Sequence, residues 1–458
     1  MNSTAKLGTE SIPKLIMQFS LPSIIAMLVN AIYNIVDRLF VGNYASADQV
    51  VNELALGGLA VVFPLVMVLF AFGALFGIGG STLIAIKFGE QNKTEPNLIY
   101  GNMISLGILS NIIMITVVAI FLEPLLRLVG ATSNNLPYAF EYTRIILVGM
   151  IPQTLAFAYA ALARTEGHPR LAMASQLIAA GTNIFLDWLF IVVFGWGVAG
   201  AAWGTVISQC VSLLILSKYF FFKKQSILTL KPANLLIKWR VLKNICVIGF
   251  ASFLINIGNS LSSAFTIVAL RKYGSDAAIT ALGAINSIFT VLLMPILGMQ
   301  QGLTPIMGYN HGMKRPDRVW KTLWVGIGIS VAYASIFVAV TMIWPEFFLS
   351  FFITPDSETL KVAVNGLLYQ FVILPLIPIT VLSNSYFQAT AKGGIALVLS
   401  SVRQAAVIPL VLLLPLIWGL NGVWLTAPIT DIIPVIFTSF FLINIVRKRQ
   451  HKVQLSVA

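Results

Sequence analysis

Charged side chains are scarce in this chain: Asp, Glu, Lys and Arg make up only 10% of its 458 residues, whereas 58% are hydrophobic. Soluble domains carry about 25% charged residues, so this chain has too few to cover a surface that faces water. The mean hydropathy of +0.90 points the same way. The composition therefore predicts a polytopic membrane protein.

Cysteine and histidine are scarce as well, with two cysteines, Cys210 and Cys246, and three widely separated histidines. This usage excludes a disulfide framework and the common zinc motifs. The sequence contains neither a nucleophile elbow nor a glycine-rich phosphate loop followed by Lys and Ser or Thr. We therefore expect no enzyme, no cofactor and no bound metal beyond a possible sodium ion.

Long apolar runs dominate the chain instead. A helix needs about 20 residues to cross a bilayer, and twelve runs reach this length. They are residues 15–42, 56–87, 98–122, 138–164, 170–194, 198–222, 244–272, 277–308, 319–344, 360–388, 394–418 and 421–446. The runs predict an all-α fold with twelve transmembrane helices.

The net charge of +13 follows this topology. When successive loops are assigned to alternate sides, most Lys and Arg fall on the side that holds both termini. The positive-inside rule then predicts that both termini are cytoplasmic. The basic charge thus indicates contact with the lipid bilayer, and we expect no nucleic-acid partner.

The longest basic loop, residues 218–243, separates six spans from six. Segments on its two sides resemble each other: GWGVAGAAW (195–203) aligns with IWGLNGVW (417–424), which pairs Gly197 with Gly419. We predict an N-terminal lobe (1–222), a cytoplasmic linker (223–243) and a C-terminal lobe (244–458). Since each copy has an even number of spans, the lobes share one orientation and enclose a central cleft.

Acidic residues within the spans concentrate in the first lobe. Helical rise places Asp37 about 7–8 Å below the outer face, Asp187 and Thr205 about 10 Å below it, and Tyr142 about 6 Å below it. Asn183 lies one turn from Asp187 on the same helix face. Two carboxylates in a pocket of low dielectric do not both ionise easily, so we expect the cluster to take up a proton or sodium. The alternative is that the carboxylates only hold helices together through hydrogen bonds.

The second lobe carries its own pair of charges, Arg403 in the eleventh span and Asp431 in the twelfth. Both fall near the midplane, where an isolated charge is costly. We predict an ion pair between them. A structural role is favoured over a second coupling site, because a carboxylate that is paired with a cation has no reason to change its protonation state.

Large apolar and amide side chains are predicted to line the cleft. Flexible Met side chains and flat aromatic rings accept many shapes, which suits bulky amphipathic substrates. The predicted cleft residues are Asn30, Tyr33, Asn34, Phe63, Met67, Met150, Gln153, Phe157, Gln176, Gln209, Asn256, Asn259, Phe289, Met294 and Met299.

Four segments together resemble the multidrug and toxic compound extrusion (MATE) family: FSLPSIIAMLVNAIYNIVDRLFVG in the first span, NIFLD in the fifth, GVAGAAWGT in the sixth and FQATAKGG after the tenth. The chain is more similar to the DinF and MepA group than to the NorM group, which places acidic residues in the seventh and tenth helices. Spans 244–272 and 360–388 contain no Asp or Glu.

The resemblance implies that Asp37, Asn183, Asp187, Thr205 and Tyr142 form a cation site in the first lobe. It also implies that protonation there bends the first helix, and Pro22 is compatible with bending. We expect a monomeric antiporter of the bacterial inner (plasma) membrane, driven by protons or sodium, that exports drugs, toxins or natural products by alternating access. The alternative is a lipid-linked oligosaccharide flippase, which predicts a cleft rich in Arg and Lys.

Overall fold

The computed structural model describes residues 3–46, 48–222, 226–354 and 357–457, and all regular elements in these ranges are helices. The long helices are α1 (Ile12–Tyr44), α2 (Gln49–Gly89), α3 (Glu95–Ile120), α4 (Leu136–Thr165), α5 (Pro169–Asp187, extended by Trp188–Val193), α6 (Gly197–Ser217), α7 (Trp239–Tyr273), α8 (Asp276–Gly312), α9 (Pro316–Ile343), α10 (Glu358–Phe371), α11 (Ile377–Ala389) and α12 (Gly393–Val457). Short helices cover Lys6–Thr9, Leu122–Leu128 and Pro345–Leu349.

Eleven helical stretches of the described chain are long and apolar enough to cross a membrane. The last, Gly393–Arg447, has 55 residues and spans about 80 Å, enough for two crossings. Its direction changes at Gly419, whose φ of 55° and ψ of −133° are not helical. The chain is thus a multi-pass helical membrane protein, and the division at Gly419 accounts for the twelve predicted crossings.

Three boundaries differ from the sequence prediction. The second span begins at Gln49 rather than residue 56, because the Asp48 side chain accepts a hydrogen bond from the Val50 backbone and caps the helix. The tenth span is broken into α10 and α11 by the 3-10 turn Leu374–Leu376. Pro375 and Pro378 lack the backbone donors that a continuous helix needs. The eleventh and twelfth spans follow each other at Gly419 without an intervening loop.

Helices pack both within and between the halves. In the first half α1 and α6 contact α5, and α4 contacts α2 and α6; in the second half α7 contacts α12, and α8 contacts α9 and α10. Buried apolar side chains fill each half, including Leu69 and Ile146 in the first and Phe371 and Trp424 in the second. Two further buried clusters join the halves, one by way of α7 and one by way of α1. The hydrophobic effect thus stabilises each half and the contact between them.

The same backbone turn recurs at matching places in the two halves. The α2–α3 turn has Gln91 at φ 58° and the α8–α9 turn has Lys314 at φ 56°. The α4–α5 and α11–α12 turns likewise have Gly167 and Ala391 at positive φ. At all four turns the backbone N–H of the next residue bonds to a carbonyl five residues earlier, which ends the helix. The halves thus share loop geometry as well as sequence.

Gly197 and Gly419, which the sequence alignment pairs, also have nearly the same φ angle. Their φ angles are 54° and 55°, in the left-handed region that favours glycine. Gly197 begins α6, and Gly419 redirects α12 before its second crossing. Both glycines therefore mark the entry into the last crossing of a half.

The two halves touch through α1, α2, α7 and α8. The ring centres of Phe72 in α2 and Phe253 in α7 lie 4.8 Å apart. The Gln301 side-chain amide of α8 donates to the sulfur of Met27 in α1 over 3.2 Å. Beyond this level, towards the end of α1, Leu39 and Phe63 are exposed. The described contacts between the halves thus include the first part of α1, whereas side chains near its end are exposed.

Candidate cation site and central cleft

The acidic residues of α1 and α5 meet where these two helices pack together. Asp37 is 8% exposed, and Asn183 and Asp187 are fully buried. The Asn183 side-chain amide donates to Asp187 Oδ1 over 3.4 Å and to Thr205 Oγ1 of α6 over 3.5 Å. Residues that are far apart in sequence thus form one pocket.

Two phenols complete this pocket. Asp37 and Asp187 are within electrostatic reach of each other and of Tyr33 and Tyr142. The Tyr142 hydroxyl lies beside the Thr205 side chain. Tyr33, predicted to line the cleft, belongs to the acidic pocket. Its position one turn before Asp37, on the same face of α1, was the signal in the sequence.

The pocket has more acceptors than donors. Asp37 Oδ1, Asn183 Oδ1 and Asp187 Oδ2 are buried and have no hydrogen-bond partner. An unsatisfied buried acceptor costs about 1–3 kcal/mol, and more if it is charged. A proton on a carboxylate, or a hard cation ligated by these oxygens and the Thr205 hydroxyl, would satisfy them. The arrangement is suited to binding a cation reversibly.

Gly204 of α6 makes room for the Asp187 carboxylate, a role that the sequence analysis missed. A Cβ at this position would stand 2.5 Å from Asp187 Oδ1 and 3.6 Å from the Asn183 side-chain nitrogen. The signal was the run of small residues in GVAGAAWGT, which allows α5 and α6 to approach closely.

An exposed cationic side chain adjoins the pocket. Arg38 follows Asp37 and is exposed, and its guanidinium lies 5.7 Å from the centre of the Phe63 ring. This distance is typical of a cation–π contact. Arg38 therefore connects the end of α1 to α2 beside the acidic residues.

The second half contains the ion pair between Arg403 and Asp431. Arg403 Nε donates to Asp431 Oδ1 over 2.7 Å, and Nη1 donates to Asn259 Oδ1 over 3.1 Å. The Gln404 side-chain amide donates to the same Asn259 oxygen over 3.4 Å. Asn259 is on α7 and the other three residues are on α12, so the network links the two helices.

Two residues assigned to the cleft lie in the cores instead. Met150 is fully buried among α2, α4 and α6, and Met299 is 5% exposed among α1, α8 and α9. Such side chains have no free surface for a ligand, so the assignment of both was wrong. Their Met side chains fill gaps between helices. The other predicted cleft residues keep exposed surface, namely Asn30, Tyr33, Asn34, Phe63, Met67, Gln153, Phe157, Gln176, Gln209, Asn256, Asn259, Phe289 and Met294.

A family model described as MatE matches residues 22–189 and 251–413, which covers most of both halves. The chain belongs to the MATE family. This result confirms the resemblance seen in the sequence, and it identifies the chain as a transporter rather than an enzyme.

The MATE chain is also similar to individual curated relatives and solved structures. The multidrug export protein MepA of Staphylococcus saprophyticus is 26% identical over 413 residues, which cover 90% of this chain and 89% of MepA. MepA of Staphylococcus haemolyticus is 26% identical over 444 residues, 96% of this chain and 95% of MepA. A structure described as an outward-facing multidrug resistance MATE family transporter superposes with a TM-score of 0.88 at 23% identity and covers 95% of this chain and 96% of its own.

Proposed function

We propose that this MATE chain couples the inward flow of a cation to the export of bulky amphipathic or cationic compounds by alternating access. The MepA relatives are multidrug export proteins, which supports the direction of transport and the substrate class. The observation that carries the coupling is the set of three unpartnered buried oxygens on Asp37, Asn183 and Asp187. These oxygens offer a place for a cation that the surrounding protein does not itself supply.

The pocket also has a physical connection to the cleft. Asp37 is on α1, the helix that packs against α8 of the other half. A cation bound between α1 and α5 changes the charge at one end of a helix whose other end contacts the opposite half. Binding that favours one arrangement of α1 would shift the equilibrium between cleft orientations. Pro22 removes a backbone donor from α1, where bending is therefore easier.

The proposal includes orientation and assembly. Both termini lie on the cytoplasmic side of the bacterial plasma membrane, as the distribution of Lys and Arg indicates. In this proposal the cleft opens outward, because the contacts between Met27 and Gln301 lie on the cytoplasmic side of Asp37. We propose two lobes, 1–222 and 244–458, joined by the linker 223–243, and a monomer as the transporting unit, since one chain supplies both halves of the cleft.

The coupling can be tested in proteoliposomes with imposed gradients of protons or sodium. We expect that the full-length protein accumulates ethidium against its gradient and that Asp37→Asn abolishes accumulation while ethidium binding persists. Asp48→Asn is the matched control, because Asp48 only caps α2 and Asn caps equally well. Gradient-driven accumulation by Asp37→Asn would refute the coupling, and comparison of the two gradients identifies the ion.

A further inference from the structure

Arg403 has unused hydrogen-bonding capacity. A guanidinium has five N–H donors, and the contacts to Asp431 and Asn259 use one on Nε and one on Nη1. The Arg403 side chain is 33% exposed, whereas that of Asp431 is 9% exposed. The anionic member of the pair is thus enclosed and the cationic member is accessible.

The accessible side of Arg403 adjoins a polar face of α7. Asn259, which holds Nη1, is exposed and lies on α7 beyond Phe253, the residue that touches Phe72 of the first half. Asn256 and Asn259 lie three residues apart on α7 and therefore share one face of this helix. A guanidinium turned to lipid at this depth would be costly, whereas one turned to a hydrated cleft is not.

The network also fixes the direction of the guanidinium. Asp431 and Asn259 hold it from two helices, and Gln404 in turn donates to Asn259 and packs its side chain against Gly258. An arginine fixed in this way presents its remaining N–H groups in a planar fork, which matches the two oxygens of a carboxylate. Purely structural pairs do not need to leave the cation exposed.

We propose that Arg403 binds the carboxylate of an amphipathic substrate in the outward-open cleft. This inference rests on the proposed export function and deepens it. Amphipathic compounds that carry a carboxylate should therefore bind more tightly than otherwise identical compounds without one.

A pair of dyes that differ only in the carboxylate tests the proposal: rhodamine B and its ethyl ester. We would measure the binding of both to the purified full-length protein by fluorescence polarisation and take the ratio of their Kd values. The double variant Arg403→Gln/Asp431→Asn removes the fork without leaving a buried charge. It should reduce the preference for the acid over the ester about tenfold, as expected for a charged hydrogen bond.

Two further variants make the result specific. Arg403→Lys keeps the charge opposite Asp431 but loses the fork, and should shift the ratio in the same direction even if the double variant does not fold. Glu123→Gln/Arg127→Gln removes an exposed ion pair outside the cleft and should leave the ratio unchanged. An unchanged ratio in both Arg403 variants would overturn the proposal.

Two other readouts separate the possible explanations. Abolition of the preference by added phosphatidylglycerol would assign the site to a lipid headgroup and overturn the assignment to substrate. Gradient-driven transport of the ethyl ester reports the export function independently of Arg403. Its absence in the unmodified protein would refute the proposed function, whereas an altered acid-to-ester ratio with transport intact supports both.

Discussion

Gly204 faces the carboxylate of Asp187 so closely that a Cβ would stand 2.5 Å from Oδ1. Backbone rather than side chain therefore sets the position of Asp187 on the α6 side. On the α5 side, Asn183 donates to the same carboxylate oxygen. The geometry of the acidic pocket thus depends on a residue that has no functional group.

Gly204→Ala should displace Asp187 and impair coupling. The added methyl group must push the carboxylate or separate α5 from α6, and overpacking of this kind costs about 1–3 kcal/mol. We expect a lower melting temperature and slower gradient-driven ethidium transport. Gly181→Ala on α5 is the control, because nothing lies within 4 Å of a Cβ there. Equal transport by both variants would exclude a positioning role for Gly204.

The sequence predicted the number of crossings, the internal repeat and the residues of the acidic pocket because each depends on local pattern or on helix rise. Asp37 and Asp187 stand out as charges in apolar runs, and depth follows from 1.5 Å per residue. The depth of a residue does not determine which face of its helix the residue lies on. For this reason Met150 and Met299 were assigned to the cleft although they face the cores.

Contacts outside the membrane spans could not be predicted from the sequence either, because they join polar side chains to backbone atoms of distant segments. Arg318 Nη2 donates to the carbonyl oxygens of Leu7 over 3.2 Å and Glu10 over 2.7 Å. The Asn310 side-chain amide donates to the Leu7 carbonyl as well. Backbone carbonyls accept such bonds whatever their side chains are, so no residue pattern marks them. The segment before α1 is thereby attached to the second half.

Arg318→Gln should release this segment. Hydrogen bonds to charged groups contribute about 1.5–3 kcal/mol, so amide exchange in residues 4–10 should become roughly ten- to a hundredfold faster. Hydrogen exchange with mass spectrometry measures this change. The exposed Lys321 of the same helix provides the control variant Lys321→Gln, which should exchange like the unmodified protein. Unchanged protection in Arg318→Gln would show that the remaining contacts hold the segment, namely the burial of Leu7, the Asn310 bond to Leu7 and the Arg315 bond to Gly8.

At the matched turns, replacing Gly167 with alanine and replacing Ala391 with glycine should have opposite effects on stability. Ala391 has φ 56°, a conformation that costs a residue with a Cβ about 1–2 kcal/mol, and Gly167 has φ 91°. Ala391→Gly should therefore raise the melting temperature, and Gly167→Ala should lower it. Thermal unfolding in detergent measures both. A stabilising Gly167→Ala would contradict the explanation from backbone conformation.

Glu166, which follows α4, should contribute a pH dependence to stability. It is fully buried and accepts hydrogen bonds from Tyr219, Ser226 and Leu228. Burial raises the pKa of the Glu166 carboxyl above its usual value, although these hydrogen bonds oppose the shift. Above the usual pKa the folded state then keeps a proton that the unfolded state releases, so this contribution to stability falls as pH rises through the raised pKa.

Glu166→Gln should remove that contribution. The melting temperature of the unmodified protein should fall more steeply with rising pH, between the usual and the raised pKa of Glu166, than that of the variant. Melting curves across acidic to neutral pH measure the difference. The control is Glu123→Gln, whose carboxylate is exposed at the opposite end of the bundle. Parallel curves for Glu166→Gln and the unmodified protein would contradict the prediction.

Asn102 of α3 attaches the second part of the linker to the first half. Its side-chain nitrogen donates to the carbonyls of Asn234 over 2.9 Å and Leu236 over 3.1 Å, and its oxygen accepts from the Lys238 backbone over 2.7 Å. One fully buried amide thus satisfies three backbone groups just before α7 begins. Residues 234–238 are therefore held against the first half up to the start of α7.

Asn102→Ala should leave these backbone groups without partners and destabilise the linker by about 1–3 kcal/mol. We expect faster cleavage by trypsin after Lys238, with the transmembrane helices still folded. Ser110→Ala is the matched control on α3, because the Ser110 hydroxyl bonds only within its own helix, to the Gly107 carbonyl. Since α7 carries Asn259 and contacts α2, a loosened linker should also reduce the transport rate. Faster cleavage with an unchanged rate would mean that the linker connects the halves without constraining their motion.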